Sequence, residues 1–69
     1  MQLSARNQLK GTVKSVNIEG IMAEVTVDIG GQEMVSTITR GSAERMSLGV
    51  GQTVVMIIKA SEVLIGKVD

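Results

Sequence analysis

Between Ile21 and Ile29 the chain alternates without a break. Ile21, Ala23, Val25, Val27 and Ile29 fall on one side, with Met22, Glu24, Thr26 and Asp28 between them. A period of two is strand geometry, with one face on a core and the other toward solvent. The preceding stretch, Leu9 to Ile18, is rich in β-branched residues and predicts a first strand, but its apolar phase slips between Val13 and Val16. A strict alternation forbids that slip, and one extra residue in a bulge near Ser15 restores it. Gly20 marks the turn between these strands. Gly30-Gly31, where both residues tolerate positive φ, predicts a tight hairpin, and Met34 to Thr39 supplies its return strand.

At Gly41 the pattern changes. Ser42 can cap a helix, Ala43 to Leu48 holds good helix formers, and Gly49 can close it in the left-handed conformation. From Thr53 to Lys59 the chain is again β-like, and Val54-Val55-Met56-Ile57-Ile58 is a continuous apolar run, which predicts a strand buried on both faces. Val63 to Val68, interrupted by Gly66, predicts a fifth strand. The expected fold is therefore all-β: a five-stranded closed barrel of the oligonucleotide/oligosaccharide-binding (OB) type, with one short helix between strands 3 and 4.

Length sharpens this picture. In 69 residues only one domain fits, expected over residues 1–69, and a chain so short buries only about 60% of the surface its unfolded form exposes. Domains of this size add disulfides, a structural metal or subunit contacts, because a single small core supplies roughly 3–5 kcal/mol. With no Cys and no His, thiolate or histidine metal sites and bridges are excluded, so a homo-oligomer is expected.

Hydrophobic residues make up 43% of the chain and none is aromatic, while seven basic residues balance seven acidic ones. Single-strand binders stack bases on aromatic platforms, and nucleic-acid binders carry a basic excess, so no nucleic acid is expected as partner. No apolar run approaches a membrane span, and Met1 to Arg6 lacks the regions of a signal peptide. A cytoplasmic protein with no membrane partner is expected. Catalysis has little support either: Glu19, Glu24, Asp28, Glu33, Glu44, Glu62 and Asp69 are scattered without a paired spacing, and the glycines match neither the phosphate-loop nor the dinucleotide fingerprint. The protein is expected not to be an enzyme and to need no cofactor.

Two segments carry candidate chemistry. Ser4-Ala5-Arg6-Asn7-Gln8 sets a hydroxyl, a guanidinium and two amides just before the first strand, a set of donors that can surround a tetrahedral oxyanion or, equally, form an ordinary polar tail. In Lys59-Ala60-Ser61-Glu62 a cation ends an apolar strand beside a turn with amides and a hydroxyl, which reads as an anion site or as a solvated strand end.

Ser4-Ala5-Arg6-Asn7-Gln8-Leu9-Lys10-Gly11 resembles the opening of the molbindins and related molybdate-binding domains, and Ile58-Lys59-Ala60-Ser61-Glu62-Val63 resembles their second signature. The likeness extends over essentially the whole chain, including the Gly pair, the short helix and the Gly-x-Gly after it. It implies an OB-like barrel that binds molybdate or tungstate at subunit interfaces of a hexamer, a trimer of dimers, for intracellular storage and homeostasis of molybdenum. By the same resemblance, Ser4, Arg6, Lys59, Ala60 and Ser61 surround the anion, with Thr39 as a weaker addition, and no side chain coordinates the metal directly. Ala60 stands where the family commonly has Ser or Ala, so that position offers only its backbone N–H. The alternative is a non-catalytic dimerisation or regulatory module with an incidental anion site.

Overall fold

The computed structural model describes residues 1–69. Strands β1 (Asn7–Glu19), β2 (Met22–Asp28) and β3 (Glu33–Thr39) form a meander, helix α1 (Arg40–Arg45) follows, then β4 (Thr53–Ile58) and a single 3-10 turn, Ala60–Glu62. All pairings are antiparallel and the sheet order is β3-β2-β1-β4. The architecture is all-β with one short helix between the third and fourth strands, consistent with an OB-like fold.

β1 organises the sheet by changing partners along its length. Its first half pairs with β4, from Asn7↔Ile58 to Thr12↔Thr53. Its second half pairs with β2, from Thr12↔Asp28 to Glu19↔Met22. Where the halves meet, the register jumps between Val13 and Ser15, leaving Lys14 as the extra residue of a bulge. The bulge keeps Val13 and Val16 on the same face of the sheet despite the slip in sequence. At the same crossing, a Cβ on Gly11 would lie 2.5 Å from Val27 Cγ1 and 2.6 Å from the Asp28 carbonyl oxygen. Glycine is required there by close approach, not by its dihedral freedom.

The core lies on one face of the sheet. Val13, Val25 and Val27 are buried at its centre, and Val16, Ile29, Ile38, Leu48, Val54 and Met56 pack around them. The β2–β3 hairpin is set as the Gly pair predicts: Gly30 and Gly31 both have φ of 96°, and their N–H groups donate to Asp28 Oδ1 at 3.0 and 2.8 Å.

Three expectations are corrected. The helix starts before Ser42: its N-cap is Thr39, whose hydroxyl oxygen accepts from the Ser42 N–H at 3.1 Å. It ends in a Schellman motif, with Leu48 N–H bonded to Ala43 C=O and Ser47 N–H to Glu44 C=O. Ser47, at φ 50°, takes the left-handed position assigned to Gly49. Second, the apolar run in β4 is not buried on both faces. Val54, Val55, Met56 and Ile58 are half-buried and Ile57 is exposed, because the core occupies one side of the sheet only. Third, Val63 to Val68 is not a strand of this sheet. It follows the 3-10 turn without regular structure or burial, so β3 and β4 remain edges and the barrel does not close within the chain.

Candidate functional site

Antiparallel pairing of Asn7 with Ile58 sets the residues before β1 beside those after β4. Ser4, Ala5 and Arg6 from one side and Lys59, Ala60 and Ser61 from the other line a single open cleft of about 400 Å³. The two segments, more than fifty positions apart in sequence, meet because both adjoin the same end of one strand ladder.

Local structure fixes each side of the cleft. Gln8 Nε2 donates to the Ala5 carbonyl at 2.7 Å, bracing the turn into β1 and occupying an acceptor that would repel an anion. Opposite it, the bonds Glu62 N–H to Lys59 C=O (2.9 Å) and Val63 N–H to Ala60 C=O (3.3 Å) close the 3-10 turn. The amides of Ala60 and Ser61 precede the first donor of that turn, so the turn itself gives them no acceptor.

Arg6 and Lys59 bring positive charge, and neither is paired: the single ion pair of the molecule joins Arg40 and Glu44 on α1, at 3.5 Å. Net charge is zero, but charge is segregated along β1. Arg6 and Lys10 lie in or before its first half, with Lys59 against its start, while Glu19 and Glu24 line a separate polar depression at its other end. The cleft therefore joins two unpaired cations, Arg6 and Lys59, which favours an anion with several oxygens. Every lining residue except the half-buried Ala5 is exposed, so a single chain leaves such an anion largely in water.

Asn7 and Gln8, read as donors in the sequence, do not line the cleft, and Ala5 does. Only its position between Ser4 and Arg6 signalled it. Thr39 is placed elsewhere. It pairs with Met22, which pairs with Glu19 at the far end of β1, up to about 40 Å of strand from Asn7. There its hydroxyl caps α1 and donates to Ser42 Oγ at 2.9 Å.

Residues 3–65 match the TOBE domain family model. Over 67 residues the chain is 42% identical to a probable molybdenum-pterin-binding protein of Haemophilus influenzae, covering 96% of this chain and 97% of that one. Among solved structures, a molybdate-binding protein from Sporomusa ovata matches with a TM-score of 0.93 at 36% identity, over 97% of this chain and all of the other. The cytoplasmic molybdate-binding protein ModG, in a form with molybdate bound, matches with a TM-score of 0.83 at 39% identity, over 87% of this chain and 43% of that one.

Proposed function

The chain belongs to the TOBE domain family, and from that premise we propose that it binds molybdate or tungstate in the Arg6–Lys59 cleft, at an interface between subunits, without catalysing a reaction. The observation that carries this reading is the convergence of Ser4, Ala5, Arg6, Lys59, Ala60 and Ser61 on one cleft, together with similarity to molybdenum-binding relatives over nearly the whole chain.

In this reading Arg6 and Lys59 supply charge, while the hydroxyls of Ser4 and Ser61 and the amides of Ala60 and Ser61 supply direction. Sulfate shares molybdate's charge and shape but is smaller, so a cavity sized to the larger anion once a second subunit covers the open cleft selects against it. Phosphate is partly protonated near neutral pH and asks for an acceptor, and a site in which the Ser4 and Ser61 hydroxyls are the only acceptors, each costing a donor when so used, disfavours it. The exposure of the cleft is the reason for the interface. Attraction between a dianion and two cations is weak in water, and a second subunit that covers the cleft strengthens it. Thr39 joins the site only from a neighbouring subunit, since its own chain holds it at the opposite end of β1. The role that fits is cytoplasmic storage of the oxyanion by a homo-oligomer, of hexameric form by resemblance, in which the 69 residues act as one domain.

Titration calorimetry with molybdate, tungstate, sulfate and phosphate tests this. Molybdate and tungstate are expected to bind at least tenfold more tightly than the other two. Arg6→Ala and Lys59→Ala are each expected to weaken binding about ten- to a hundredfold, the loss of one charge-assisted donor, with little change in the thermal midpoint of the ligand-free protein. Unchanged affinity in both variants removes the cleft from the reading, and equal affinity for all four anions reduces it to a generic anion patch.

A further inference from the structure

The two walls of the candidate cleft are held to unequal degrees. Residues 59–61 continue β4 into a turn closed by two backbone hydrogen bonds, Glu62 N–H to Lys59 C=O and Val63 N–H to Ala60 C=O. Residues 4–6 stand before β1 in a stretch of bends without regular structure, and no backbone hydrogen bond ties residues 1–6 to the rest of the chain. One side-chain bond reaches them: Gln8 Nε2 donates to the Ala5 carbonyl at 2.7 Å. No ion pair supplements it, since the single ion pair joins Arg40 and Glu44. Gln8 is anchored where this matters. Its backbone lies inside the ladder, opposite Ile57 and one step from Asn7↔Ile58, and the residue after Ile58 is Lys59. The strand that carries one wall therefore fixes the residue that holds the other.

We propose that Gln8 is a positioning residue for the anion: by holding the Ala5 carbonyl it sets residues 4–6 against the ladder before the ligand arrives, and it raises affinity without lining the cleft itself. The bond spans the bend at Arg6, so it constrains the residues that bring the Ser4 hydroxyl and the Arg6 guanidinium to the cleft. A wall already in place loses little freedom on binding, whereas a loose one is ordered at each binding event and affinity falls accordingly. The bond is exposed and joins two neutral groups, so its weight is that of one ordinary hydrogen bond, about two- to tenfold in affinity. That is less than the loss of a cation that meets the ligand, and it is the difference expected between a residue that positions and one that binds. The inference rests on the anion-binding reading above and names the residue that prepares that site.

Two substitutions at this exposed strand position test it. Gln8→Met keeps the length of the side chain and removes the donor without adding charge, while Gln8→Glu removes the donor and adds a carboxylate. Molybdate affinity is measured by titration calorimetry on the full chain, with sedimentation and the thermal midpoint of the ligand-free protein measured alongside. Gln8→Met is expected to bind about two- to tenfold more weakly, with the ligand-free midpoint and the sedimentation unchanged, and Gln8→Glu more weakly still. A double-mutant cycle separates positioning from a general effect on the structure. If Gln8 acts through residues 4–6, the effect of Gln8→Met is largely lost once Ser4→Ala and Arg6→Ala have stripped that wall of its side-chain donors, and it persists in full beside Lys59→Ala. Unchanged affinity in Gln8→Met, an effect of equal size in the two backgrounds, or a loss of affinity matched by a fall in the ligand-free midpoint overturns the inference alone. An unmodified chain with no affinity for molybdate overturns the reading of the cleft and the inference together.

Discussion

At Gly11 the packing leaves no room for a methyl group, since Val27 Cγ1, the Asp28 carbonyl and Ile29 Cγ2 all lie within 3.0 Å of where it would stand. One of these neighbours is backbone and cannot rotate away. Gly11→Ala is therefore expected to destabilise the protein by about 3 kcal/mol, the upper end of ordinary overpacking, read as a fall in thermal midpoint of about 10 °C or more. Ser47 shows the opposite case. It holds a left-handed conformation at φ 50°, which costs an L-residue about 1–2 kcal/mol before the entropy of glycine is set against it. Ser47→Gly should raise stability by up to about 1 kcal/mol without altering the sheet, as thermal unfolding would record. The cationic and hydroxyl residues of the candidate site were legible in the sequence because two short motifs flank strand ends. Thr39 illustrates the limit. Threonine at a strand end that opens a helix has its hydroxyl engaged by the Ser42 amide, and residue type alone does not separate a cap from a ligand contact.

The elements were legible wherever alternation was long. β2, its hairpin and β3 follow directly from the period of two and the Gly pair, and the bulge follows from the break between Val13 and Val16. That break gives an element-level test. Deleting Lys14 removes the extra residue, so that Val13 and Val16 fall two positions apart and a regular strand keeps both on the core face, whereas deleting Thr12 leaves the bulge in place and turns the first half of β1 over relative to the second. The Lys14 deletion is expected to keep a cooperative transition by circular dichroism and the Thr12 deletion to abolish it, while Lys14→Ala, which keeps the residue count, should change stability by less than about 1 kcal/mol. The run in β4 was less legible, since continuous apolar sequence records that a strand will be covered and not what covers it. The same holds for Val63 to Val68: its composition is that of a strand, yet the segment follows the 3-10 turn without a partner in the sheet. The helix was displaced in the reading because Ser42 and Thr39 are equally good caps, and only the end of β3 at Thr39 chooses between them.

As a whole the molecule is sparsely cored. Five of 69 residues are buried, all of them Val or Ala, which leaves a narrow margin against chain entropy and makes the protein sensitive to anything that binds its native form. At a ligand concentration 100 times the dissociation constant, molybdate should stabilise the protein by about 2.7 kcal/mol per independent site, visible by calorimetry as a rise in thermal midpoint that equal sulfate does not produce. Intrinsic fluorescence cannot report it, for the chain has no Trp or Tyr.

The division of β1 between two partners also sets an order of events in time. Its second half turns directly into β2 at Glu19↔Met22, and β2 into β3 at Asp28↔Glu33, so the meander closes only short loops. Its first half waits for β4, whose Ile58 must reach Asn7 from the other end of the chain. Loop closure over that distance is slow, and contacts of this kind are completed late. The walls of the candidate cleft are the residues just outside that last ladder, so the cleft does not exist until folding is nearly over. In stopped-flow measurements, molybdate should leave the refolding rate of the chain almost unchanged and act instead by slowing its unfolding.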